Sequence, residues 1–119
     1  MAYNLKTSQT VFKGGKNILA SEHFQFVEAG VTLKGGEGAL AVGQAIARES
    51  ASGKWVKFVD ANVATYDDFG ILNVDADATT YDAIVGEVLV RGSVYDAKLV
   101  GATATFKGKV PNIRFVKHV

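Results

Sequence analysis

The chain has 119 residues, 48% hydrophobic and 21% charged, with a net charge of +1 and no cysteine. That length is one domain and that composition is globular, while the missing cysteines exclude disulfides, thiolate metal sites and cysteine nucleophiles and fit assembly in a reducing cytoplasm. No basic stripe is present to neutralise phosphates, which argues against a nucleic-acid partner, and no stretch approaches ~18 consecutive apolar residues, so no membrane-spanning helix is expected.

The opening Met1-Ala2-Tyr3-Asn4-Leu5-Lys6 lacks the apolar core of a signal peptide. Residues 1–20 are polar and weakly patterned, with Gly14-Gly15 in the middle. They read as an extended N-terminal arm, and residues 21–119 as a β-rich body. From His23 the pattern changes. Phe24-Gln25-Phe26-Val27-Glu28 alternates, Ala29-Gly30 interrupts, and Val31-Thr32-Leu33 resumes. Lys34 to Gly38 is a loop. Ala39 to Arg48 has two readings: its alanines suit a helix, but Gly43 inside one costs about 1 kcal/mol, and Leu40, Val42, Gln44 and Ile46 alternate as in a strand.

Lys54–Val59 and Phe69–Val74 read as strands on either side of a polar Asp60–Asp68 loop. Val85–Arg91 and Val94–Val100 read as a hairpin with Gly92-Ser93 at its tip, because glycine accepts the positive φ of a tight turn. Ile113-Arg114-Phe115-Val116 is a last alternating strand. Thirteen glycines against one proline punctuate these short runs. The fold class expected is mostly β, a small sandwich or barrel.

Candidate chemistry is sparse. Gly36-Glu37-Gly38-Ala39-Leu40-Ala41 satisfies the glycine pattern of dinucleotide-binding folds, and Asp60 stands about 20 residues on. The segments after Asp60 are strands joined by tight turns, whereas a parallel sheet needs further βα units. A strand-connecting loop is the better reading. Asp75-Ala76-Asp77 fails as a calcium loop, since Thr80 and Gly86 stand where glycine and glutamate are required; it reads as a solvated turn whose aspartates accept backbone hydrogen bonds. Asp67-Asp68 reads as a loop tip. His23 and His118 lie at opposite ends of the sequence, and neither Ser50 nor Ser52 sits in a nucleophile elbow. Trp55, Tyr66, Tyr81 and Tyr95 suit core or interface filling better than sugar or base stacking. The expectation is no enzyme, no cofactor and no metal.

One succession has a counterpart. Gly43-Gln44-Ala45-Ile46-Ala47-Arg48 leads through Ser52-Gly53-Lys54-Trp55-Val56 to Phe69-Gly70-Ile71-Leu72, then Asp75-Ala76-Asp77-Ala78-Thr79 and Val88-Leu89-Val90-Arg91-Gly92. Its order and spacing, over roughly the central half of the chain, resemble the lambda-type head decoration proteins of tailed bacteriophages. The resemblance implies a mostly-β decoration-protein fold and a homotrimer at threefold positions on the outer surface of the capsid. It implies a role in cementing the shell, with no chemistry added, in a virion assembled in the host cytoplasm. It also implies an arm that reaches the major capsid protein, for which position nominates Tyr3, Asn4, Leu5, Thr10, Val11 and Phe12. The competing reading is a virion-displayed module that binds a small ligand or glycan.

Overall fold

The computed structural model describes residues 18–20, 24–27 and 30–117. The chain is mostly β, with a curled sheet forming a half-barrel. The arm residues Tyr3, Asn4, Leu5, Thr10, Val11 and Phe12 lie outside the described residues, as do His23 and His118. Of the expected arm, residues 18–20 are described, and they pack with the body: Ile18 is fully buried and Leu19 bridges Val94.

The curl originates in one bent two-stranded ribbon. Strand β1 (Gln25–Phe26) runs antiparallel to β9 (Val88–Tyr95), and β2 (Val31–Leu33) runs antiparallel to β8 (Ala83–Val85). The Val27 amide donates to the Val88 carbonyl, so 25–27 stay paired with β9, with a bulge near Phe26, and 31–33 pair with β8, which stands just before β9 in the chain. The other edge of β9 pairs with β6 (Tyr66–Leu72), and the other edge of β2 pairs with β5 (Trp55–Lys57). Between them lies β4 (Ala45–Glu49), antiparallel to both β5 and β6. The ribbon therefore meets both flanks of the same three-stranded unit, which forces the sheet to curl. A separate pair, β3 (Gly38–Leu40) with β7 (Ala76–Ala78), adds Leu40 and Ala78 to the core.

Strand alternation gives this sheet two buried faces. Ile46, Leu72, Val88 and Trp55 face one core, joined by Val31 and Leu33. Ala45, Ala47, Ile71 and Leu89 face the other, which Phe58, Phe106, Ile18, Val110 and Ile113 complete. Helix α1 (Ala104–Lys109) belongs to this second core. It has six residues and a glycine, too little for intrinsic stability, but Thr103 caps it by accepting from the Phe106 amide. Phe106 then buries completely, 5.2 Å from the Phe58 ring and 6.4 Å from Phe69.

Several sequence expectations need correction. Gly92-Ser93 is not a hairpin tip. β9 runs straight through it, with Gly92 at φ 139° as a bend. The strand continues because its second half is paired on both sides: β10 (Ile113–Val116) joins in parallel, and residues 18–20 join in antiparallel fashion. The expected second strand, 94–100, accordingly stops at Tyr95 and passes into a 3-10 turn at Asp96–Lys98. The expected 85–91 strand is divided at Gly86-Glu87 between β8 and β9. The Asp60–Asp68 loop is a 3-10 helix over Asp60–Thr65 followed directly by β6. The ambiguous 39–48 stretch is strand, turn and strand, and β10 falls on the four residues expected.

Candidate protein-interaction surface

The fold disperses most of the chemistry-bearing residues. The glycine pattern at 36–41 forms the turn into β3 and β3 itself, with no helix after it. Asp60 accepts from the Thr103 hydroxyl at 2.6 Å, which ties the 3-10 helix to the cap of α1. Asp75-Ala76-Asp77 is not the solvated turn expected: Ala76 and Asp77 lie in β7, and Asp75 accepts from the distant Val42 amide at 3.0 Å, while Asp77 accepts locally from the Thr79 amide at 3.0 Å. Asp67 and Asp68 stand within β6, where Asp67 pairs with Arg48 at 2.7 Å. Ser50 donates to the Thr65 carbonyl, and Ser52 donates to Glu49. Among the described residues no three His, Asp or Glu side chains are grouped to hold a metal. Trp55 is core, Tyr66 packs on Phe58 and Phe69, and Lys98 lies over the Tyr95 ring.

Tyr81 is different. It is 80% exposed, and Ile84 three residues on is 84% exposed. Strand alternation explains Ile84: Ala83 and Val85 pack on the core, so Ile84 must face away. β8 ends the strand order of the sheet and pairs only with β2 among the described residues. An unpaired edge carrying a large apolar side chain is a template for contact with another chain.

The segment bearing these residues is held firmly. Both oxygens of Asp82 are engaged, one by the Gly35 amide at 2.8 Å and the other by Lys54 at 2.7 Å. The Lys54 bond, followed by the Gly35 amide, holds the Asp82 carboxyl below its usual pKa. Glu49 is likewise lowered by its bonds from Ser52 and Lys34. Tyr81 and Ile84 therefore project from a braced support, which lowers the ordering cost of any contact they make.

A second surface feature lies where β9 changes partner. β6 leaves the edge of β9 and β10 takes its place, opening a cleft of ≈ 340 Å³. Phe69, Val90, Val110 and Pro111 supply apolar wall, while Arg91, Lys109 and Asp68 supply charge. Asp68 accepts from the Phe69 amide and lies in the field of Arg48. Neither Arg91 nor Lys109 has an ion-pair partner among the described residues.

The edge is hidden in the sequence because Val85 reads on into the apolar run that follows it. The available signal was Ala83-Ile84-Val85 itself, a short alternating run closed by Gly86. Comparison of the chain with protein families, with curated proteins and with solved structures returns no match.

Proposed function

We propose that the chain is a capsid decoration protein, a small β body that binds the outer surface of a tailed-phage head as a homotrimer and cements the shell. The observation that carries the reading is the braced β8 edge, unpaired among the described residues, with Ile84 and Tyr81 exposed. It offers backbone N–H and C=O groups together with apolar area, which is what adhesion to a protein surface needs. The resemblance over 43–92 names the surface. Its residues build β4, β5, β6, β7 and the first half of β9, the central framework of the body.

In this reading the arm, with Tyr3, Asn4, Leu5, Thr10, Val11 and Phe12, contacts the major capsid protein as an extended segment. Ordering a free segment consumes binding energy, so one arm binds weakly. Three arms on one trimer gain from effective concentration, by about 10²–10⁴-fold when the geometry allows all three to engage. The role is mechanical, with no reaction and no cofactor.

Co-sedimentation with undecorated phage shells tests the reading. Full-length protein is expected to saturate the shells, and protein lacking residues 2–12 to bind them more weakly while melting cooperatively. A panel of glycans run beside it scores the competing ligand-binding role. Glycan binding without shell binding would replace the proposal.

A further inference from the structure

The cleft between β6 and β10 holds polar side chains that the fold leaves without partners. β9 makes its last pair with β6 at Leu89 and its first with β10 at Gly92, whose φ of 139° marks a bend. The turn that leads from α1 into β10 borders the gap and is fixed by backbone bonds. The Gly92 amide donates to the Asn112 carbonyl at 3.2 Å, and the Ile113 amide to the Val110 carbonyl at 3.0 Å. β1 borders it too, with Gln25 paired to Arg91. The recess is set by backbone pairing before anything enters it, which keeps the ordering cost of a ligand low.

The lining is mostly polar, and its mix of groups is selective. The side chains of Arg91, Lys109 and Asn112 have no bond or ion-pair partner among the described residues. Asp68 gives one carboxylate oxygen to the Phe69 amide at 2.9 Å, and its other oxygen has no partner among those residues. Two cations against one carboxylate leave the recess with one net positive charge, which favours a ligand with a single negative charge. The Asp68 carboxylate only accepts hydrogen bonds, so that ligand needs a donor as well. A hydroxyl donor keeps the ligand's single negative charge, whereas an ammonium would cancel it. Half-buried Phe69 and Val90 add apolar wall for C–H groups. At ≈ 340 Å³ the cleft lies at the small end of ligand sites, which run from about 300 to 1,000 Å³.

We propose that this cleft binds a carboxylated sugar: Arg91 and Lys109 hold the carboxylate, Asp68 and Asn112 the ring hydroxyls, and Phe69 and Val90 the C–H face of the ring. The Arg91 guanidinium is a planar fork that matches a carboxylate with two parallel bonds, and Lys109 adds a point charge from the end of α1. Asp68 accepts and Asn112 both accepts and donates, so between them they serve hydroxyls in both directions. The cleft shares no residue with the β8 edge, with Tyr81 or with the arm. Sugar binding is therefore a second activity of the body and does not rest on the decoration reading.

Amide-shift titrations by NMR on the free full-length chain test the site, with glucuronate, glucose, acetate, inorganic phosphate and glycine as probes. Glucuronate joins a ring to a carboxylate. Glucose keeps the ring, acetate keeps the carboxylate, and glycine sets a carboxylate beside an ammonium. Glucuronate is expected to bind with a Kd on the order of millimolar, and the other four about tenfold more weakly or not at all. The shifts should map to residues 68–69, 90–91 and 109–112. Arg91→Gln with Lys109→Gln, both exposed positions, should erase the preference for glucuronate over glucose. Lys57→Gln, which removes an exposed cation on β5, should leave binding unchanged. Asp68→Asn should narrow the gap between glucuronate and acetate, because it removes both the hydroxyl acceptor and the repulsion of a bare anion. A merely structural role for Asp68 would weaken the two ligands alike. Circular dichroism checks that each variant folds. The assignment is overturned by acetate or phosphate binding as tightly as glucuronate, by glycine binding more tightly, by no binding at all, or by glucuronate binding that survives loss of both cations. Shell binding is scored separately and is untouched by any of these results.

Discussion

Gly70 and Val88 are two halves of one contact. A Cβ built on Gly70 would stand 2.6 Å from Val88 Cγ1 and 3.6 Å from the Trp55 ring. The pairing Leu72 to Val88 sets β9 against β6, and the pairing Ile46 to Gly70 sets β6 against β4. The bare backbone at position 70 is what allows Val88 to fill the inner face where these strands curl.

It follows that Gly70→Ala overpacks this face and destabilises the fold by about 1–3 kcal/mol. Urea unfolding followed by Trp55 fluorescence measures it. The companion Val88→Ala in the Gly70→Ala background should recover part of the loss, because it removes the clashing Cγ1.

Phe106 anchors α1 by burial, and Thr103 anchors it by capping. Phe106→Ala should cost about 3–5 kcal/mol, the usual range for an aromatic removed from a core. Thr103→Ala should cost about 1 kcal/mol, with some further loss because its hydroxyl also donates to Asp60. Thermal melts of both variants establish the ranking.

The sequence made the β class and several strands legible because alternation survives where one face is buried, as in Ile113–Val116, and a short continuous apolar run marks a strand buried on both faces, as in Phe69–Leu72. It misled at Gly92, where the residue type required for a turn also serves a bend. The partners that keep β9 going, β10 and residues 18–20, are distant in sequence and leave no local mark. The helix at 104–109 was illegible for a related reason: its stability comes from one buried phenylalanine and a cap. The β8 edge was legible only in part, since exposure of Ile84 depends on which strand ends the sheet.

Gly92 offers a test of that distinction. Its φ of 139° lies where side chains are disfavoured, so Gly92→Val should destabilise by roughly 1–3 kcal/mol. Amide exchange should then rise in both halves of β9, because the bend serves pairing with β6 and with β10 alike.

The braced β8 segment should respond to acid. Folded Asp82 and Glu49 titrate below their unfolded values, so their stabilisation is complete above the ordinary carboxylate range. It is lost as pH falls below the ordinary carboxylate range and through the lower folded values. Melting temperature against pH should show this falling limb, and Asp82→Asn should make the limb shallower while lowering the plateau above it.

The central claim, that this body decorates a phage head, is tested most directly by cryo-electron microscopy of undecorated shells incubated with the purified full-length chain. The account predicts added density on the outer surface, three bodies around each occupied threefold position. Shells that remain bare at saturating protein, or density scattered as single copies away from those positions, would contradict it.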